Sequence, residues 1–226
     1  YWEFYKTIKA FGGGMLSEDG KTFTLNSPEN VEALQYMVDR VRKSHVMPSQ
    51  EQLAGRGNMD LFIEGKLGML RCGIWGFSDI AKRATGFDWD ICVEPGAKQK
   101  ATFFFANVGC ISRNADPAKQ EAAFRFLNAM GSDPDIVKLR LASQWELPVV
   151  ADETLMAEYL KVTPPNNKAA VLKSMDYAIT PPALEEFSYA VEILNPLLTG
   201  LESTDLTAQE LLDQAQSELE SAIELK

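Results

Sequence analysis

The residues best equipped for chemistry are aromatics placed where a periodic core does not call for them. Tyr1, Trp2, Tyr5, Trp75, Phe77, Trp89, Trp145 and Tyr189 include several that stand at the ends of elements. A pyranose offers an apolar face of C–H groups, and a flat ring buries that face while the hydroxyls stay open to polar partners. Trp75 is the sharpest case. Gly73 before it permits a close backbone approach and Gly76 follows, so a turn can present the ring. The competing reading makes Trp75 a wedge in a core or hinge. Asn107 carries two donors and an acceptor, which suits sugar hydroxyls; it could equally tie down a strand crossing. Arg71, just before the tryptophan turn, either reaches the same surface or pairs with Glu94 or Asp90. Glu3 and Glu186 are acceptors near aromatic candidates and also fit solvated helix faces.

Catalytic chemistry finds little support. His45 is the single histidine, no Gly–x–Ser–x–Gly elbow exists, and Lys43-Ser44-His45 reads as the exit of a helix. Asp88 and Asp90 flank Trp89 like a glycosidase pair, but the same alternation opens ordinary strands. No Cys/His spacing suits zinc, and no acidic loop of about twelve residues suits calcium. Gly12-Gly13-Gly14 lacks the Lys–Ser/Thr of a phosphate loop, so it reads as a helix end. No catalytic residue, metal ligand or cofactor is expected.

Composition narrows the partners. The 226 residues are 46% hydrophobic and 24% charged, enough for one or two globular domains with a substantial core. The net charge is −10 and no Lys/Arg cluster interrupts it, which argues against nucleic acid. No run approaches the roughly eighteen apolar residues of a membrane span. Cys72, Cys92 and Cys110 are too few for a disulfide scaffold and read as buried small hydrophobes, with Cys72 and Cys92 the pair that could join if their strands are neighbours.

The elements that must position these residues alternate between helix and strand. Tyr1, Phe4, Tyr5, Ile8 and Phe11 recur at helical spacing. Phe23 and Leu25 alternate with threonines like a small strand. Ser27-Pro28 caps a helix with its stripe at Val31, Leu34, Val38 and Val41. Helix, strand and helix follow across 58–84, with extended runs at 90–93 and 103–112. Asp116-Pro117, Ser132-Asp133-Pro134 and Asp152 head further helices, and Leu147-Pro148-Val149-Val150 reads as extended. Thr207-Ala208-Gln209-Glu210 is a capping box for the terminal helix. The pattern is α/β with a helix-rich C-terminal portion.

These segments resemble, in order, those of the bacterial extracellular solute-binding proteins of ABC importers, in particular the sugar-binding, maltose-binding-protein-like branch. LNSPENVEALQYMVDRV (25–41) is similar to a family helix that follows a short hairpin. NMDLFIEGKLGMLRCGIWG (58–76) resembles the family's helix, small-residue strand and Gly–x–Trp turn, with Gly68 where alanine is usual. FDWDICVEPG (87–96), NVGCISRNADPAKQEAAFRFLNAMGSDPDI (107–136), WELPVVADETL (145–155) and LTAQELLDQAQSELESAI (206–223) continue the correspondence.

The resemblance implies a periplasmic-binding-protein-like fold of two α/β lobes with the ligand clamped between them. It puts residues 1–104 and 156–226 in the C-terminal lobe, and 106–155 in a return segment of the N-terminal lobe. It implies ligand contact by Trp75 and a cleft-facing Asn107. Trp2 aligns with a family aromatic used on ligand or in helix packing, Tyr189 lies on a helix that delivers a stacking ring, and Arg71 borders the cleft. Ser188 stands where maltose-binding relatives carry a stacking tryptophan. The implied partners are a small carbohydrate solute and the transmembrane subunits of an ABC permease. The implied location is periplasmic or extracellular, free or lipid-anchored, with the full-length protein a monomer. Family members run to about twice this length, so either a longer protein is expected, its earlier part covering Phe124, Phe126, Leu127, Ile136 and Leu139, or another copy or a partner chain covers them. The alternatives are an α/β enzyme acting on a small carbohydrate-like substrate, which turnover of glycosides or sugar esters would favour, and an interaction scaffold.

Overall fold

Short-range capping sets most of the helices. The computed structural model describes residues 1–147, 152–200 and 204–225. In chain order these hold α1 (Trp2–Ala10), α2 (Pro28–Arg42), α3 (Gln50–Leu53), α4 (Asn58–Ile63), α5 (Phe77–Arg83), β1 (Thr102–Phe103), α6 (Pro117–Ser132), α7 (Pro134–Ser143), α8 (Glu153–Lys161), α9 (Ala169–Ser174), β2 (Ala178–Ile179), α10 (Phe187–Thr199) and α11 (Ala208–Ala222). Ser27 accepts from the Asn30 N–H at the head of α2, Asp116 from the Lys119 N–H at α6, and Asp152 from the Leu155 N–H at α8. Thr207 and Glu210 close the expected capping box on α11. Asp133 ends α6 and caps α7 through the N–H groups of Asp135 and Ile136. Each cap satisfies a donor that the first helical turn leaves without an internal partner.

The strands depart from expectation. Of the runs expected to be extended, none forms a ladder longer than two residues among the described residues. Thr102–Phe103 pairs in parallel with Ala178–Ile179, and Phe23 makes an isolated bridge to Leu16. Alternation reports an extended backbone, whereas a strand also needs a neighbour that exchanges hydrogen bonds, and the run itself does not encode that neighbour. The run expected at Leu147–Val150 lies outside the described residues from Pro148 onward. The cysteines also differ from expectation. Cys72, Cys92 and Cys110 are free and exposed, because each lies in one of these extended runs with no ladder beside it to cover the thiol.

The chain forms two compact units. The first gathers Tyr1–Gly55, Glu94–Phe104 and Ser174–Lys226, and the second Arg56–Val93 and Phe105–Lys173. The first has one large core. Phe4, Tyr5 and Ile8 of α1, Leu34 of α2 and Leu194 of α10 meet Leu211, Leu212, Ala215 and Leu219 of α11 there. Asn30, fully buried on α2, donates through Nδ2 to the carbonyls of Gly14 (2.7 Å) and Thr24 (2.9 Å). Gly13 is pressed so closely on it that a Cβ there would stand 2.0 Å from Asn30 Oδ1.

The second unit has two smaller cores. Phe62, Ile80 and Ala84 form one, with Phe87 and Trp89 packed on it; Val137, Leu141 and Tyr159 form the other. Asp90 and the Ile91 carbonyl accept from Asn167, tying two distant segments together. Phe124, Phe126 and Leu139 are exposed, while Leu127 and Ile136 are partly buried.

One buried cation in this unit has no anion beside it among the described residues. Lys168 is fully buried, and its Nζ lies 4.9 Å from the Tyr159 ring centroid, without a hydrogen-bond partner among the described residues. Burial lowers its pKa from 10.5 to about 8, so between those values the unfolded chain binds the additional proton and stability rises with pH. Burial raises the Tyr159 hydroxyl to about 12, which acts in the opposite sense only above the tyrosine value of 10.0. Lys168→Met should therefore raise stability at pH 7 by about 1–2 kcal/mol, the relief of an unsatisfied buried group less a lost cation–π contact. Thermal melts from pH 7 to 10 should show the parent protein gaining stability and the variant flat.

Candidate functional site

The tryptophan turn is built from the Gly73 backbone outward. Residues Ile74–Gly76 form a single 3-10 turn after Gly73, which is extended at φ −78° and ψ 165°. The Trp75 ring folds back over Gly73, so that a Cβ there would stand 2.0 Å from a ring carbon. Its edge meets the Phe105 ring at a centroid distance of 6.0 Å and an interplanar angle of 73°. The remaining face leaves Trp75 49% exposed. This turn offers a fixed aromatic surface rather than a core plug.

Polar groups continue from that surface. Phe105 and Asn107 are two residues apart, the spacing that puts side chains on one side of an extended chain. Asn107 is exposed, and its Nδ2 donates to Glu146 Oε2 at 3.4 Å. Glu146 also accepts from Arg140. Arg71 lies on the exposed run leading into the turn. Glu94, among its own contacts, pairs with Lys6 at 2.9 Å, and Asp90 accepts from the Asn167 N–H.

Trp2 and Tyr189 fall in the first unit, while Trp75, Asn107 and Arg71 fall in the second. On α1, Trp2 meets Phe103 edge-on at 5.1 Å and tilts against Phe187 at 5.9 Å, yet stays 41% exposed. Helix packing and an available ring edge are thus combined in one side chain. Tyr189, two residues beyond Phe187 on α10, is half exposed. Glu3 is exposed and pairs with Lys6 at 3.3 Å. A shallow concavity bounded by Gln35, Val38, Arg42, Leu206 and Leu211 contains none of the candidate residues.

Sequence reasoning missed Phe105, Glu146 and Arg140. Phe105 sits in the aromatic triplet Phe103-Phe104-Phe105 at the head of what reads as one long extended run, and Glu146 carries no motif of its own. The adjacent exposed Trp145 was the one available signal.

A family model described as bacterial extracellular solute-binding protein matches residues 2–170. The chain belongs to that family. An ABC substrate-binding protein from Listeria monocytogenes, solved in complex with cycloalternan, is 36% identical with a TM-score of 0.92; the match covers 99% of this chain and 57% of that one. A maltose/maltodextrin-binding domain from Bdellovibrio bacteriovorus bound to maltotriose is 22% identical at TM-score 0.74, covering 98% of this chain and 57% of that one. UgpB from Mycobacterium tuberculosis, in complex with glycerophosphocholine, is 17% identical at TM-score 0.74, covering 97% and 54%. No curated protein matches the chain. The chain thus spans a little over half the length of these solved relatives, and its fold class is the α/β one of periplasmic binding proteins.

Proposed function

We propose that this chain is part of the substrate-binding component of an ABC importer, one that captures a sugar or oligosaccharide and hands it to the transmembrane subunits of a permease. The observation that carries the reading is Trp75: a large ring, pinned over Gly73, edge-on to Phe105 and half exposed. Stacking would bury a pyranose C–H face while Asn107 and Arg71 meet hydroxyls, and Trp2 and Tyr189 are further proposed ligand contacts. The ligand reported with the Listeria relative, cycloalternan, supports the carbohydrate class.

In this reading residues 1–104 and 156–226 act as one lobe and 106–155 belong to the other. That division differs from the compact units at Arg56–Val93 and at residues 156–173. Hinge bending would close the lobes on ligand, and ligand shifts that equilibrium only through its tighter binding to the closed form. The protein would work as a monomer outside the cytoplasmic membrane, free or lipid-anchored, and without chemical turnover.

Calorimetric titration of the full-length protein with maltotriose and with cycloalternan tests the reading. Saturable binding to at least one, with the sugar recovered unchanged, is expected. Absence of binding to both would overturn the reading, and hydrolysis of either would favour the carbohydrate-active enzyme instead.

A further inference from the structure

Glu146 is held by two different kinds of partner, and the arrangement bears on ligand charge. Its Oε1 accepts from Arg140 Nε at 2.5 Å and also from Arg140 Nη2. Arg140 is fixed in turn by donating from Nη1 to the carbonyl of Met130. The guanidinium is therefore committed to Glu146 and to backbone, and is only 24% exposed. Among the described residues Glu146 Oε2 accepts one long bond, the 3.4 Å donation from Asn107 Nδ2, so an acceptor lone pair remains. Asn107 keeps its Oδ1 and its other Nδ2 hydrogen unbonded among the described residues.

We infer that Glu146 and Asn107 form a hydroxyl-reading pair that selects uncharged polyhydroxy ligands over anionic ones, with Arg140 as the residue that positions Glu146. The inference rests on the sugar-binding reading of the same surface. A vicinal diol matches the pair: one hydroxyl donates to Glu146 Oε2 while its neighbour accepts from Asn107 Nδ2–H. Hydrogen bonds to a carboxylate are roughly twice as strong as neutral ones. An anionic group at the same point would approach Oε2, the Glu146 oxygen that Arg140 does not bind, while three of the five Arg140 N–H groups are already given to Glu146 Oε1 and the Met130 carbonyl. Rejection of a like charge supplies specificity here as much as attraction to the hydroxyl does.

The test is competition binding to the full-length protein of a neutral oligosaccharide, maltotriose or cycloalternan, and the same sugar with one primary hydroxyl oxidised to a carboxylate. Glu146→Gln keeps an acceptor for Arg140 but removes the charge. It should weaken the neutral sugar about tenfold and the anionic one less, shrinking the preference between them. Arg140→Lys, which keeps the cation but loses the fork, should shrink the same preference without touching ligand. An unchanged preference in both variants overturns the inference while leaving sugar binding in place. Failure of the parent protein to bind either neutral sugar removes both readings together.

Discussion

Gly73→Ala is expected to cost the full-length protein most of its affinity for a neutral oligosaccharide while leaving its melting transition in place. The added Cβ would stand 2.0 Å from the Trp75 ring, so the ring must swing away from the position in which it is presented. The backbone itself tolerates alanine, because φ is −78° there. Trp75→Ala removes the same surface by deletion, at about 1–3 kcal/mol, the scale of burying one large apolar side chain. The two variants should lose similar affinity, and the double variant little more than either, since they break one contact. Titration calorimetry beside thermal melts measures both sides. A large fall in melting temperature with unchanged affinity would make Trp75 a support of the fold rather than a ligand surface.

Asn30→Ala is expected to destabilise the first unit by about 2–4 kcal/mol, which can exceed the loss at the binding surface. The substitution takes a donor from two carbonyls at once, and Thr24 Oγ1, at 3.2 Å, remains to serve only the one on Gly14. It also opens a void beneath Gly13, which Asn30 now fills. Asn30→Asp should be worse, because it sets a carboxylate against those same carbonyls. Denaturant titration reads the effect. A loss below about 0.5 kcal/mol would mean that water reaches Gly14 and Thr24 easily enough to replace the amide.

Helix starts were legible in the sequence and strands were not, for reasons that Ser27 and Leu70 illustrate. The Ser27 cap is a bond to an N–H three residues away, so the whole device lies within one short window. Leu70 lies in an apolar run whose pairing would depend on residues far along the chain. The candidate site divides in the same way. Trp75 was marked by its own flanking glycines, whereas Glu146 gains its meaning from Arg140 and Asn107, 6 and 39 residues away. Lys168 escaped notice because burial of a lysine follows from what packs around it, and long charged side chains are ordinarily solvated.

The interleaving of the two units has a consequence for the timing of synthesis. The chain passes from one unit to the other four times, after Gly55, Val93, Phe104 and Lys173. The core around Phe4 and Ile8 is closed by Leu211, Leu212 and Leu219, so residues made early wait for a helix made late. Folding as each segment leaves the ribosome, the usual course for domains in a row, is therefore barred to the first unit. Until α11 emerges the core of the first unit stays open, and an open core is one a polypeptide can still unravel to pass through a membrane. The family is one of extracellular proteins, and in this chain the core around Phe4 cannot close before α11 has been made.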